Sequence, residues 1–311
     1  MNECTTGNTR FMKHTLAVVS AVSIVCGVST ARADNISTTL GTAGPSDWAI
    51  LSIGDNNVTL NGPTPGTVGN VGIGTGGSLS LNGSAGPAIT GNVTFAGSEN
   101  FSGSAGGTPA GQVVGIVSAN QSSVTTAGTT ALSAAAAFGS GTGLWVPTAT
   151  YSSVNGNLTI TGTAGINVID IGTGGINLGN GQELILNGPA GSQFVINVPS
   201  ITLNSGLIAL TGGLTENDVV YNVTGTGNSV HTAGGLNNES VIDGIVLDAN
   251  GAIQMSPGQV NGEVIAGAGI QIVSGGNVNG NTSTVPDGGS SLLLLSASLG
   301  CLFQLKKKIG F

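Results

Sequence analysis

Along most of the chain, short apolar stretches alternate with Gly, Asn, Ser and Thr at a period of two. Ala49-Ile50-Leu51-Ser52-Ile53, Ser78-Leu79-Ser80-Leu81 and Asn92-Val93-Thr94-Phe95 are examples from the first third. Alternation over four to six residues, bounded by turn formers, predicts β-strands. One stretch departs from this. Ser118 to Phe138 is poor in Gly and ends in Ala131-Leu132-Ser133-Ala134-Ala135-Ala136-Ala137-Phe138, with Gly139 as a stop. Ala is the strongest helix former, so a helix is expected over about 121–138. Almost free of charge, it should pack against the β body. After Thr150 the strand pattern resumes, as in Asn157–Thr161, Glu183–Leu186, Phe194–Val198, Val219–Val223, Gly244–Leu247, Ala252–Met255, Gly262–Ile265 and Gly269–Val273. Asn-Gly pairs at 61–62, 82–83, 187–188 and 261–262 predict tight turns with positive φ.

Composition narrows the architecture. Of 311 residues 55 are Gly, yet no triplet period runs through them, which excludes collagen. Aromatic residues make up 4%, too few to fill a wide interior. Many short strands, Gly corners and small side chains suit stacked coils, in which a ladder of Val, Ile and Leu runs from coil to coil. The strand spacings follow no fixed period, and a β-sandwich is the alternative.

The charges are segregated. Arg10, Lys13 and Arg32 precede residue 34, while Lys306, Lys307 and Lys308 follow residue 305. Between Asp34 and Val285 stands no Lys or Arg, but all of the 14 acidic residues except Glu3 and Asp287. A body without cations cannot neutralise phosphates, which argues against nucleic-acid binding and against an anionic membrane surface. Cys4, Cys26 and Cys301 also lie in the two ends, so a form trimmed of both has neither a disulfide nor a Cys-based zinc site.

Both ends read as addresses. Arg10 and Lys13 precede an apolar run from Leu16 to Val28, and Ala31-Arg32-Ala33 fits the small-x-small cleavage pattern that leaves Asp34 first. Met1 and Met12 both stand upstream of that run as candidate starts. The apolar run is short for the roughly 20 residues of a membrane span. Residues 1–33 are thus expected to be a signal peptide with a signal helix, and 34–284 the surface domain. At the other end Val285-Pro286-Asp287-Gly288-Gly289 is followed by an apolar run from Leu292 to Leu305 and the basic stop Lys306-Lys307-Lys308. The basic cluster favours the cytoplasmic side, which places the preceding domain outside. Residues 285–311 therefore read as a sorting signal with a hydrophobic helix, holding the chain transiently at the inner membrane.

Candidate chemistry is sparse. His231 is the single histidine of the body and reads as a loop residue; a triad would need it beside Asp243 or Asp248 and a serine. Glu183, Glu216 and Asp218 carry no spacing that marks an acid and a nucleophile. Asp55-Asn56-Asn57 and Glu216-Asn217-Asp218 offer oxygen ligands for calcium without an EF-hand loop, so structural turns are the better reading. Gly72-Ile73-Gly74-Thr75-Gly76-Gly77 lacks the Lys and following helix of a phosphate loop. Thr159-Ile160-Thr161 is one Thr-x-Thr step, not an array. Trp48, Trp145, Tyr151 and Tyr221 could stack on sugars, although core packing suits them better. No cofactor and no catalytic, cofactor-binding or metal residue is assigned, and the chain is expected not to be an enzyme.

The tail resembles the VPDSG-CTERM sorting signal, a relative of PEP-CTERM, matching at Val285, Pro286, Asp287 and Gly289 with Gly288 where that family has Ser. The resemblance implies an exosortase-type partner in the inner membrane, cutting near the motif, and delivery to the cell surface or extracellular matrix. Several blocks of the body carry a second resemblance: Trp48–Leu51, Leu186–Val198, Asp218–Val223, Gly244–Ala249 and Val260–Gly267. They are similar to the choice-of-anchor A domain and, more distantly, to the ice-binding-like adhesin fold. That implies an all-β, irregular right-handed β-solenoid with one long α-helix alongside. Together these imply an exported structural or adhesive protein, with extracellular polysaccharide as a partner. Ice binding is the alternative, and a carbohydrate-active β-helix enzyme the third reading. Mass spectrometry of the exported protein should find Asp34 at its N-terminus, and Ala33→Arg should block that cut.

Overall fold

The computed structural model describes residues 35–61, 66–82, 88–102, 112–234 and 239–280. The predicted signal cleavage site (Ala31, Ala33, Asp34), sorting motif (Val285–Gly289), basic stop (Lys306–Lys308) and both terminal helices lie outside these residues. Among the described residues no helix is long and apolar enough to cross a membrane.

The described residues are mostly β, arranged as three parallel sheets of ten, eight and seven strands, here sheets I, II and III. Each full coil lays one short strand in each sheet. Ser192–Val198 (I) leads to Ile201–Asn204 (II) and Leu207–Gly212 (III), and then Val219–Val223 lies beside Ser192–Val198 again. Every strand pairing is parallel, so the coils stack as in a β-solenoid and the sandwich alternative falls. The alternating pattern now has a cause. Inward positions such as Ile169, Ile196, Tyr221, Val246 and Val264 stand above one another, each covered by the coil on either side. A coil cannot bury this stripe alone, so stability is shared between neighbours.

Coil length explains why no period appears in the sequence. The stacked partner advances 27 residues from Ile169 to Ile196 but 18 from Val246 to Val264. Strand registers are kept, and the corners absorb the difference. Of the expected Asn-Gly turns, those at 61–62 and 82–83 reach outside the described residues, and the other two sit at bends between parallel coils and not in hairpins. Asn187-Gly188 ends a strand, and Gly188 lacks a positive φ. Gly262 does take φ +135°, and a Cβ there would lie 2.3 Å from the Gly244 carbonyl oxygen of the adjacent coil. At that corner backbone rests on backbone, and only Gly fits.

The coils do not stack in chain order. Ile50–Ser52, Val71–Ile73, Val93–Phe95 and Val117–Ser118 step away from one another in sheet I. The chain then crosses the sheet as α2 (Ser122–Phe138) and restarts with Ala149–Tyr151 at the far edge. Later coils return until Val264–Ala266 pairs with Ile50–Ser52, and Gly269–Val273 with Asn57–Asn61. First and last coils therefore form one seam in mid-stack.

Helix α2 agrees with the predicted span to within a residue. Its buried stripe, Val124, Ala127, Gly128, Ala131, Ala134 and Phe138, recurs every three or four residues and faces sheet I. At about 1.5 Å per residue it is about 26 Å long, close to the six strand spacings of about 4.8 Å between Val93–Phe95 and Ser192–Val198. Thr126, Thr129, Thr130 and Ser133 return their hydroxyls to carbonyls one turn back, which spares the outer face unpaired donors. A short helix not foreseen in the sequence, α1 (Asn35–Leu40), buries Ile36 and Leu40 in the same apolar layer.

Ile50→Ala opens a cavity at the seam, and urea denaturation should record a loss of about 2–5 kcal/mol. The same truncation at exposed Leu132 should cost under about 1 kcal/mol.

Candidate functional site

Sheet I is the covered face. Its outer positions form two columns running across the coils. In the first, Val168, Val195, Val220 and Ile245 lie under the helical layer. In the second, Asp170, Asn197, Asn222, Leu247, Ile265, Leu51, Gly72 and Thr94 follow one another. The polar end of this column lies under the last turn of α2. Asn222 Nδ2 donates to the Ala135 carbonyl (3.2 Å) and Asn197 Nδ2 to that of Phe138 (3.2 Å). Asn222 also donates to Asn197 Oδ1 (2.8 Å), and Asn197 to Asp170 Oδ1 (2.9 Å). Asn197 thus supplies a partner to the Phe138 carbonyl at the helix end, while Asn222 adds a second donor to the Ala135 carbonyl, which already accepts from Gly139 N.

The outward positions of sheets II and III are mostly exposed or half-buried, with Ser80 of sheet II buried (6%). The central outward column of sheet II reads Asn177, Thr202, His231, Gln254, Gln271, Thr59, Ser80 and Ser102. No carboxylate, Lys or Arg interrupts it. Its side chains repeat at about 4.8 Å across the strands, set by the backbone hydrogen bonds of the sheet. Between these positions the inward residues Leu178, Leu203, Thr232, Met255, Ile272, Leu60 and Leu81 are all buried, which holds the face in register. Sheet III is less uniform. Its corresponding column runs Thr159, Ile185, Ala209, then Asp243, Asn261 and Asn279. Asn261 Nδ2 donates to Asp243 Oδ1 (2.8 Å), and Asn279 Nδ2 to Asn261 Oδ1 (3.0 Å). The Thr159-Ile160-Thr161 step does face outward, beside Ile185 and Asn187, and no row of threonines continues it.

The chemistry weighed in the sequence is dispersed. His231 lies in the strand Gly227–Ala233 and not in a loop, because its neighbours Val230 and Thr232 are core positions that set a strand. It stands on the face of sheet II, Asp243 on that of sheet III, and Asp248 is buried at a corner. No triad forms from them. Glu216 and Asp218 belong to a 3-10 turn in which Thr215 N and Oγ1 donate to Asp218 Oδ2 (2.8 and 2.7 Å), a structural use of the carboxylate. Among the described residues no group of three metal-type ligands occurs. Trp145 packs edge-on against Phe138 (4.8 Å), and Tyr221 is buried with its hydroxyl donating to the Asp243 carbonyl (3.1 Å). Trp48 is 8% exposed and lies over Gly72, while Tyr151 is partly buried against the core.

Glu263 escaped the sequence reading, and Asp248, weighed there only as a triad partner, has a burial that the reading did not foresee. Glu263 precedes the strand Val264–Ala266 and continues the apolar column after Ile245; it is fully buried without a hydrogen-bond partner. Burial first, and the Asp47 charge second, push its pKa well above the ordinary value. Asp248 is buried where sheet I turns into sheet II and accepts a hydrogen bond from Ser229 Oγ (2.6 Å). Burial raises it from 3.8 to about 7, against the lowering effect of the Ser229 hydroxyl. A Cβ on Gly251 would come within 2.5 Å of Asp248 Oδ1, so the carboxyl occupies the space this Gly leaves. Only burial distinguishes these two acids from those on the surface, and an isolated Glu or Asp between apolar strands is the one trace in the sequence.

No protein-family model matches the chain. No curated protein matches it. Among solved structures, the antifreeze ice-binding protein LeIBP of an Arctic yeast is 17% identical, with 80% of this chain and 96% of that one covered and a TM-score of 0.50. An ice-binding protein of the Antarctic ascomycete Antarctomyces psychrotrophicus is 23% identical over 78% of this chain and 98% of that one, with a TM-score of 0.47. The likeness to the yeast protein lies in the fold: this chain shares that protein's architecture.

The two buried acids make stability depend on pH. Their folded pKa values are raised, so their contribution is fully present below about pH 4 and falls as pH rises towards 7 for Asp248, and further for Glu263. Unfolding free energies from urea denaturation should decline across that window by up to about 1.4 kcal/mol per pH unit for each group. The Asp248→Asn, Glu263→Gln double variant should flatten the profile.

Proposed function

We propose that this chain is an exported, non-enzymatic ice-binding protein whose outer face of sheet II meets the ice surface. The observation that carries this is the uncharged polar column from Asn177 to Ser102, held in register by a fully packed interior. A flat array of hydroxyl and amide groups offers ordered water repeated partners, whereas strongly hydrated ions would hold their own shells. Sheet III, with Asp243 in its central column, is less suited. The fold likeness to ice-binding proteins supports this reading over a purely structural or adhesive role.

Address and function fit together. The signal peptide would export the chain, and the tail from Val285 to Lys308 would hold it at the inner membrane until an exosortase-type enzyme passes it to the surface or matrix. A retained ice-binding domain would attach cells to ice, and a released one would modify ice around them. The right-handed coil sense and the choice-of-anchor A assignment belong to this proposal. A structural role within extracellular polysaccharide is the second reading, supported by the sorting tail.

Ice-recrystallisation and thermal-hysteresis assays test the assignment. The wild-type chain should inhibit recrystallisation at micromolar concentration. Thr202→Tyr, which raises a bulky ring from the face, should weaken inhibition several-fold with an unchanged melting temperature. Thr159→Tyr on sheet III should leave it intact. Inactive wild-type protein, or equal activity in all three, overturns the proposal.

A further inference from the structure

The two ends of α2 meet different surroundings. Its last carbonyls are taken by the Asn222 and Asn197 amides, but its first turn has no side-chain cap and no acidic residue. The cause lies in the column beneath. Leu247, Ile265 and Leu51 fill the space under the middle of the helix, and the column then passes to Gly72 and Thr94. Gly72 has no side chain, and none would fit, since a Cβ there would come 2.9 Å from Leu51 Cδ1 and 3.0 Å from the Trp48 ring. Leu51 and the Trp48 ring thus cover Gly72, and the open space lies beyond that ring, between Thr94 and the first turn of the helix.

The result is a cleft of about 440 Å³. Thr94 and the Trp48 ring line one side, Ser122 and Ser123 the helix side, and Asp47 the rim. Asp47, Ser122 and Ser123 are exposed and Thr94 is half-buried, so their carboxylate and hydroxyls face the open volume of the cleft. Asn70 and Asn92 also border the cleft but are engaged in the wall: Asn70 donates to the Asp47 carbonyl (2.9 Å), and Asn92 Oδ1 accepts from Ile116 N (2.8 Å). The indole Nε1 is likewise used, donating to the Thr42 carbonyl (3.0 Å). The wall is therefore held by internal hydrogen bonds, while the hydroxyls and carboxylate of the lining face solvent.

Charge selects the ligand class. The uncapped N–H groups of the first turn would by themselves favour an anion. Asp47 stands on the same rim with no cation to offset it, and no Lys or Arg exists anywhere from Asp34 to Val285. A ligand must accept from amide N–H and hydroxyl groups while donating to a carboxylate. Adjacent sugar hydroxyls do both, and the non-polar face of a pyranose can lie against an indole. We propose that this cleft is a binding subsite for one or two residues of a neutral saccharide, with Asp47 as the principal acceptor and Ser122, Ser123 and Thr94 as its hydroxyl partners.

The subsite is separate from the ice face, and the two can fail independently. The test titrates the full chain carrying Trp145→Phe, in which Trp48 is the sole indole, with glucose, mannose, N-acetylglucosamine and cellobiose. Galacturonate and inorganic phosphate serve as anionic probes. At least one neutral sugar should change Trp48 emission saturably. Asp47→Asn should weaken it about tenfold or more, the loss expected for a hydrogen bond to a charged group. Ser123→Ala should weaken it less, and Thr202→Tyr should not affect it. The proposal is overturned if no neutral sugar saturates, if Asp47→Asn binds as wild type, or if phosphate alone binds.

Discussion

Everything in this molecule depends on the seam where the first coil rests on the last. Ile50 against Val264 and Val58 against Ile270 join two runs of coils that the chain builds separately, at either end of α2. Without that pairing each run would present an open edge of unpaired backbone and an uncovered inward stripe. With it, the strands of sheet I become one continuous surface, long enough to carry the helix from end to end. Closing residues more than two hundred positions apart costs entropy, but that cost grows only as the logarithm of the separation. The many buried side chains of the ladder, each worth roughly 1.5–3 kcal/mol of transfer free energy, exceed it.

A continuous sheet I then assigns the other faces their roles. It is committed to the helical layer, and its outer columns change character along the stack to suit what lies above. Amides meet the carbonyls of the last helical turn, aliphatic side chains meet its middle, the Trp48 ring covers Gly72, and a cleft opens beside Thr94 at its start. Sheets II and III remain for the surroundings. Differences between them come down to single outward side chains, since both share the same buried frame.

The same burial that builds the frame sets the behaviour of its few acids. Asp218 keeps company with Thr215 at the surface and serves as a cap. Asp248 and Glu263 sit on the same kind of chain, yet lie inside, where the uncharged form is favoured. Composition counts all of them alike.

Much of the secondary structure was legible because each strand carries its own alternation and the helix its own run of Ala. The strands Ser78–Leu81, Val219–Val223 and Gly269–Val273 and the helix ending at Phe138 have the expected bounds or nearly so. Less visible were Gly165–Ile171 and Gly227–Ala233, in which polar residues such as Asn167 and Ser229 are buried and break the pattern. Local sequence by itself determined the elements, the separation of cationic ends from an acidic body, and the inward stripe, because period, charge and turn chemistry are carried by neighbouring residues. Tertiary structure alone decided that the first coil meets the last, that His231 shares a face with Thr202 and Gln254, and that Asp47 looks across a cleft at Ser123. Those pairings join residues from coils of unequal length, and no spacing along the chain records which of them will be stacked.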